Sequence, residues 1–140
     1  AVLCLAGGAG AQEPGSISAE QAVQVRRASM FMSGAIMSSM KAGIDAGASP
    51  RSQVFPAGTI ARWAGAMPGV FPAGSGEVTG TKAKPEIWTN RADFDAKAAA
   101  LAAAATRLQE LAQADNAAGF AAQWTEVRAS CQTCHDVYKA

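Results

Sequence analysis

Two cysteines and a histidine lie close together in the run Cys131-Gln132-Thr133-Cys134-His135. On a helix, positions three and four apart share one face, so both thiols and the imidazole would project to the same side. Two thiols can then add to the two vinyl groups of a porphyrin, and the adjacent imidazole can reach its iron. This CxxCH run is the signature of covalent haem c attachment. The sequence therefore predicts one haem c on Cys131 and Cys134, with His135 as the fifth iron ligand.

Other uses of the cysteine pair stay open at the level of sequence. A redox dithiol usually begins a helix after a strand, and no strand pattern precedes Cys131. A zinc site needs four ligands, and the chain contains no second histidine. A structural disulfide would give a bundle without haem, but cysteines this close in sequence would form a strained bond.

The single histidine also restricts the sixth iron ligand, because a second imidazole is excluded. The sequence is compatible with a methionine thioether, a lysine, a water molecule, an exogenous gas or no ligand at the sixth position.

The remaining sequence predicts an all-α fold, a four-helix bundle with a long crossover loop between helices 2 and 3. Ser18 and Gln21 have the spacing of a capping box at the start of the first helix. No strand-like alternation or internal repeat is found. The predicted helices cover residues 18–46, 52–66 with an interruption around Pro56 and Gly58, 89–114 and 117–138, and a Gly- and Pro-rich loop covers 67–85.

Composition and the first residues suggest one folded, exported domain. The chain is 49% hydrophobic and has a net charge of +1, so it should fold and has no basic field for nucleic acid. Residues 1–11, AVLCLAGGAGA, are typical of the end of a secretory signal and are too short to span a bilayer. We expect residues 1–11, with Cys4, to be a signal remnant of a longer precursor. Residues 12–140 are expected to form a periplasmic haem-binding bundle that does not span the membrane.

Several stretches resemble the class II cytochromes c, the cytochrome c′ family. In that family CxxCH lies on the last helix, downstream of every candidate distal ligand, as it does here. The matching segments are Val25-Arg26-Arg27-Ala28-Ser29, Met40-Lys41-Ala42, Lys84-Pro85-Glu86-Ile87-Trp88 with Phe94, and Cys131 to Lys139. The resemblance spans roughly residues 19–139 and implies a four-helix bundle with one covalent haem.

The resemblance also implies roles for two residues of the first helix. Arg26 matches a family arginine that pairs with a haem propionate, and Met30 lies four residues on, where the distal face is covered. In low-spin members a methionine at this position ligates the iron, and residues 67–72 resemble the loop of those members. Of the other methionines, Met37 and Met40 are expected to pack in the core and Met32 to face away from the site. Met67 is expected to lie in the loop, outside the site.

Two functions follow from the resemblance. The first is a periplasmic electron carrier, not an enzyme, with His135 and Met30 as axial ligands and redox proteins as partners. The alternative is a five-coordinate, high-spin cytochrome c′ that binds nitric oxide or carbon monoxide. Lys139 stands where the family often has an arginine linked to proximal gas chemistry, and lysine lacks the planar fork. A homodimer through helix 1 is compatible with the resemblance.

Overall fold

Four long helices dominate the computed structural model, which describes residues 15–140. The predicted all-α four-helix bundle with a crossover loop is confirmed, while the predicted signal remnant and Cys4 lie outside the described residues. Across residues 15–140, no helix has both the length and the apolar character needed to cross a membrane. The helices are α1 (Ala19–Asp45), α2 (Val54–Ala66), the one-turn α3 (Glu86–Thr89), α4 (Arg91–Gln113) and α5 (Ala117–Tyr138), with 3-10 turns at Pro50–Gln53 and Met67–Val70.

The start of α1 confirms the predicted capping box. The Gln21 backbone N–H donates to Ser18 Oγ at 3.1 Å, and the Ser18 N–H donates to Gln21 Oε1 at 2.8 Å. These bonds satisfy two groups that a helix end would otherwise leave without partners. From this start, α1 buries Val23, Met37 and Met40 on one face.

The predicted interruption of the second helix is wrong, because α2 runs unbroken. Pro56 lies in its first turn, where a backbone N–H has no partner within the helix, so the missing donor costs nothing. Gly58 is buried against α4, and a Cβ atom there would lie 2.3 Å from Gln109 Nε2. Buried Ala98 and Ala105 on α4 contribute to the same close packing, which makes α2 and α4 the most extensive helix pair.

The buried side chains form two clusters at different heights of the bundle. The smaller cluster, the cavity-side core, has Phe94 at its centre, with Phe71 at 4.9 Å and Tyr138 at 5.3 Å between ring centroids. The larger one, the main core, joins all four long helices. The main core is Met37, Met40, Ala57, Ile60, Ala64, Leu101, Ala105, Leu108, Leu111, Ala112, Phe120 and Val127; the cavity-side core is Met67, Phe71, Ile87, Phe94, Ala98 and Tyr138.

The crossover loop after α2 is packed on the bundle. Ser75 at its centre is 0% exposed. Its far end is joined to the end of α5, where the Lys84 N–H donates to the Tyr138 carbonyl at 2.9 Å and the Ala140 N–H to the Lys82 carbonyl at 2.8 Å. The loop therefore forms a wall beside the helix that carries the two cysteines.

Candidate functional site

A cavity of about 580 Å³ lies between α1, the crossover loop and the end of α5. This volume falls within the range of about 300–1,000 Å³ that is typical of ligand and cofactor pockets. Phe71, Ile87 and Phe94 of the cavity-side core contribute apolar walls. The cavity is therefore both large and mostly apolar, as a porphyrin requires.

The two cysteines of α5 lie at the junction of the two cores. Cys134 lines the cavity and packs on the cavity-side core, while Cys131, one turn earlier, packs on the main core. Neither is in a disulfide. Burial raises the pKa of both thiols above the ordinary value, and the nearby Cys131 adds to the effect at Cys134. Both groups are therefore protonated thiols at neutral pH.

His135 lines the cavity beside Cys134 and is half-buried. Burial lowers the pKa of the imidazole, Lys139 lowers it further, and Asp136 opposes the shift. At neutral pH the ring is therefore mainly uncharged. Since the described residues supply no hydrogen-bond partner to its nitrogens, a lone pair is available to a metal ion.

Two methionines, not one, line the cavity. Met30 lines the cavity from α1 and is half-buried. Met67, which was expected to lie outside the site, lines the same cavity and is only 3% exposed. Its 3-10 turn follows α2 without a gap and carries the side chain into the bundle, a placement that no helical period indicates. Met32 is 58% exposed.

Arg26 also lines the cavity, but its guanidinium is bonded to the crossover loop. Nη1 donates to Ser75 Oγ at 2.8 Å and to the Val70 carbonyl at 3.4 Å, while Nη2 donates to the Ser75 carbonyl at 2.7 Å and to Thr81 Oγ1 at 2.5 Å. Burial lowers its pKa. Of the N–H groups of the Arg26 guanidinium, only Nε–H has no acceptor within the described residues. The pairing of Arg26 with a haem propionate stays a prediction.

A polar network lies beside Cys134, and the sequence does not predict it because two of its members, Asp93 and Tyr138, are 45 positions apart. The hydroxyl of Tyr138 donates to Asp93 Oδ2, and Lys97 Nζ donates to both Asp93 oxygens at 2.8 Å. Burial and the Asp93 carboxylate raise the pKa of Tyr138 to about 12. The network joins α5 to α4 within one turn of the predicted haem-binding residues.

A sequence model of the family described as Cytochrome C' matches residues 21–139. The chain belongs to the cytochrome c′ family. Members of this family have one covalently bound haem c, and the protein is accordingly a monohaem cytochrome. The cavity fits this group, because its apolar walls would cover a porphyrin, and it presents a thiol, an imidazole and two thioethers, with a second thiol one turn away on the same helix.

Relatives within the family have two kinds of name. Cytochrome c-556 from Agrobacterium tumefaciens (strain II Chrys) is 43% identical over 81 residues, which cover 58% of this chain and 64% of that protein. Cytochrome c' from Rhodopseudomonas palustris is 39% identical over 74 residues, which cover 53% of this chain and 49% of that protein. The chain therefore matches about half to two thirds of the length of these relatives.

Solved structures agree with the fold over nearly the whole bundle. Cytochrome c' from Thermochromatium tepidum has a TM-score of 0.83 at 26% identity, covering 89% of this chain and 98% of that one. A second cytochrome c', described as having an unusual ligand-controlled dimer dissociation, has the same TM-score at 27% identity and covers the same shares, 89% and 98%.

Proposed function

We propose that this cytochrome is a periplasmic electron carrier in which His135 and Met30 coordinate the haem iron. One observation carries the proposal: α5 and α1 present an imidazole and a thioether to the same apolar cavity. Cys131 and Cys134 would hold the porphyrin edge through thioether bonds, formed by adding each S–H across a vinyl group. Electrons would be exchanged with redox proteins.

The chain's own residues suit this role. When bound, haem supplies a one-electron Fe(III)/Fe(II) couple. His135 and Met30 would keep the same two ligands in both oxidation states, so little reorganisation would accompany each transfer. Phe71, Ile87 and Phe94 line the cavity and would exclude water around a bound haem. A dry site and a thioether ligand would both favour a raised reduction potential.

A second candidate function is the binding of small gases by a five-coordinate iron. The name cytochrome c' among the relatives supports it, as does the relative whose dimer dissociation is ligand-controlled. Half-buried Met30 would then only pack against the cavity-side core.

The exposed side chains of Val25 and Met32 on α1 support a homodimer through this helix. The similar cytochrome c' with ligand-controlled dimer dissociation also favours a dimer.

Optical spectra of the haem-loaded protein test the two candidates. We expect sharp α and β bands after reduction with dithionite and no change with carbon monoxide. A broad high-spin spectrum that shifts with carbon monoxide would contradict the electron-carrier proposal and support gas binding.

Three matched variants identify the ligand. Met30→Leu should become high-spin and bind carbon monoxide, because Leu keeps the volume and removes the thioether. Met32→Leu controls for loss of an exposed sulfur and should leave the spectrum unchanged. Met67→Leu should also leave it unchanged, and conversion of Met67→Leu alone to the high-spin form would transfer the ligand role to Met67.

A further inference from the structure

The mouth of the cavity is positively charged. Four cationic side chains line the cavity, Arg26, Arg27, Lys82 and Lys139, and no Asp or Glu side chain does. Arg26 is buried in its bonds to the crossover loop, but the other three are exposed. We call Arg27, Lys82 and Lys139 the basic collar. They come from α1, the crossover loop and the end of α5, so the fold, not the sequence order, brings them together.

The collar charges are not neutralised within the described chain. The ion pairs across residues 15–140 use other cations, namely Lys41, Arg51, Arg91, Lys97 and Arg107. Lys139 is near enough to His135 for its charge to lower the pKa of the imidazole. The acid that opposes it, Asp136, accepts a hydrogen bond from Gln132 at 2.7 Å and does not line the cavity.

An exposed aromatic ring lies at the same opening. Phe31 lines the cavity and is 78% exposed, the largest exposure among the exposed large apolar side chains of residues 15–140. Aromatic side chains and arginine are enriched at protein–protein interfaces, which have a polar rim. The net charge of the whole chain is only +1, so the three exposed cations of this mouth are largely balanced by acidic residues elsewhere in the chain.

We propose that the basic collar binds an acidic face of a redox partner protein, and that electrons cross at this mouth. The inference rests on the proposed electron-transfer function and names the chemistry of its partner. One electron leaves the reduced cytochrome, which becomes oxidised, and the same electron reduces the partner by one unit. No bond breaks and no proton moves. Opposite charges speed such encounters at low salt.

A protein partner fits the collar better than an anionic membrane. Polybasic membrane sites have clusters of about four to eight Lys or Arg residues, each contributing about 1 kcal/mol. The collar has only three exposed cations, Arg27, Lys82 and Lys139, which is fewer than such a cluster needs. Transient electron-transfer complexes, in contrast, use small interfaces below about 1,200 Å².

Stopped-flow kinetics with oxidants of opposite charge measure the field at the mouth. The reduced haem protein is mixed with hexacyanoferrate(III), an anion, or with tris(phenanthroline)cobalt(III), a cation. The collar variant combines Arg27→Gln, Lys82→Gln and Lys139→Gln. The control variant combines Lys41→Gln, Arg51→Gln and Arg107→Gln, which removes equal charge at the other end of the bundle. The ratio of the two rate constants cancels any shift in driving force that acts on both reactions.

We expect the collar variant to lower the anion-to-cation rate ratio about tenfold at an ionic strength of about 0.01 M, with little change near 1 M, where the Debye length is about 3 Å. The control variant should change the ratio less than about twofold. Equal changes of the rate ratio in both variants would overturn the inference, because the total charge of the protein would then explain the rates without a local site. If the wild-type protein reduces neither oxidant, the proposed function itself fails.

A protein probe and a lipid probe complete the test. An acidic plant-type ferredoxin, in its reduced form, should reduce the oxidised cytochrome faster at low than at high ionic strength, and the collar variant should lose most of this dependence. An unchanged rate in the collar variant would overturn the docking site. Co-sedimentation with phosphatidylserine vesicles that requires the collar would replace the protein partner by a membrane surface.

Discussion

At the scale of single residues, Tyr138 shows how the site is fixed to the bundle. It is the only tyrosine in the chain, is 3% exposed and donates its hydroxyl hydrogen to Asp93. Asp93 in turn accepts from Lys97, and these two bonds lower the pKa of the carboxyl, with Lys97 as the larger cause. Each group therefore holds the other in one protonation state near neutral pH.

This environment makes the titration of Tyr138 a test of the network. Its pKa is raised to about 12, against about 10 for a free tyrosine, so the folded state favours the protonated phenol. Its contribution to stability is complete below about pH 10 and is lost as pH rises toward 12. The near-ultraviolet difference spectrum between wild type and Tyr138→Phe isolates this single group, and a midpoint near the ordinary value would contradict the hydrogen bond.

The contribution of Asp93 to stability has the opposite pH dependence, and it changes at low pH. Because its folded pKa is lowered, its contribution to stability is present above its ordinary pKa and is lost as pH falls through the folded value. The Tyr138→Phe variant removes one of the two bonds, so the free energy of unfolding should depend less on pH on both sides of neutrality.

At the scale of elements, the sequence predicts well what is determined locally. The capping box at Ser18 and the ends of α4 and α5 depend on residues within one turn, and the structure agrees with these predictions. The predicted interruption at Pro56 is wrong because the effect of a proline depends on its distance from the helix start, and α2 starts at Val54, two residues later than predicted.

Contacts across the chain are what the sequence does not reveal. The bonds from Arg26 to Ser75 and Thr81 join residues 49 and 55 positions apart, and no periodic pattern indicates them. The same is true of Met67, which enters the cavity only because its turn folds back after α2. CxxCH was identifiable because all of its chemistry lies within five consecutive residues.

Arg26 is therefore expected to stabilise the crossover loop as well as the cavity. Arg26→Gln removes hydrogen bonds from a charged donor to buried acceptors, including Ser75, and should reduce the free energy of unfolding by about 2–4 kcal/mol. Arg26→Lys keeps the charge but lacks the planar array of N–H donors. Its free energy of unfolding should therefore lie between those of Arg26→Gln and the wild type. Exposed Arg27→Gln is the matched control, with a change within about 0.5 kcal/mol. Denaturant unfolding followed by circular dichroism measures all three, and equal losses at both arginines would contradict an anchoring role.

At the scale of the whole molecule, the bundle has a closed end and an end built around the cavity. The main core joins all four long helices through residues such as Met40, Leu108 and Phe120, which are at most 1% exposed. The cavity-side core is half as large and surrounds the space of about 580 Å³. The first end is packed by protein alone, whereas the second needs a bound group to fill it.

Removal of haem should therefore loosen one end of the molecule before the other. In a haem-free chain we expect amide exchange to accelerate in residues 22–30, 71–85 and 131–138, which surround the cavity and would lose their central contact. Residues 101–112 of α4 should keep most of their protection, because the main core does not depend on the cofactor. Hydrogen exchange of the haem-loaded and haem-free chains, read by mass spectrometry, compares these segments directly. Uniform loss of protection along all four helices would mean that the two cores unfold as one unit, and that the haem stabilises the entire bundle cooperatively.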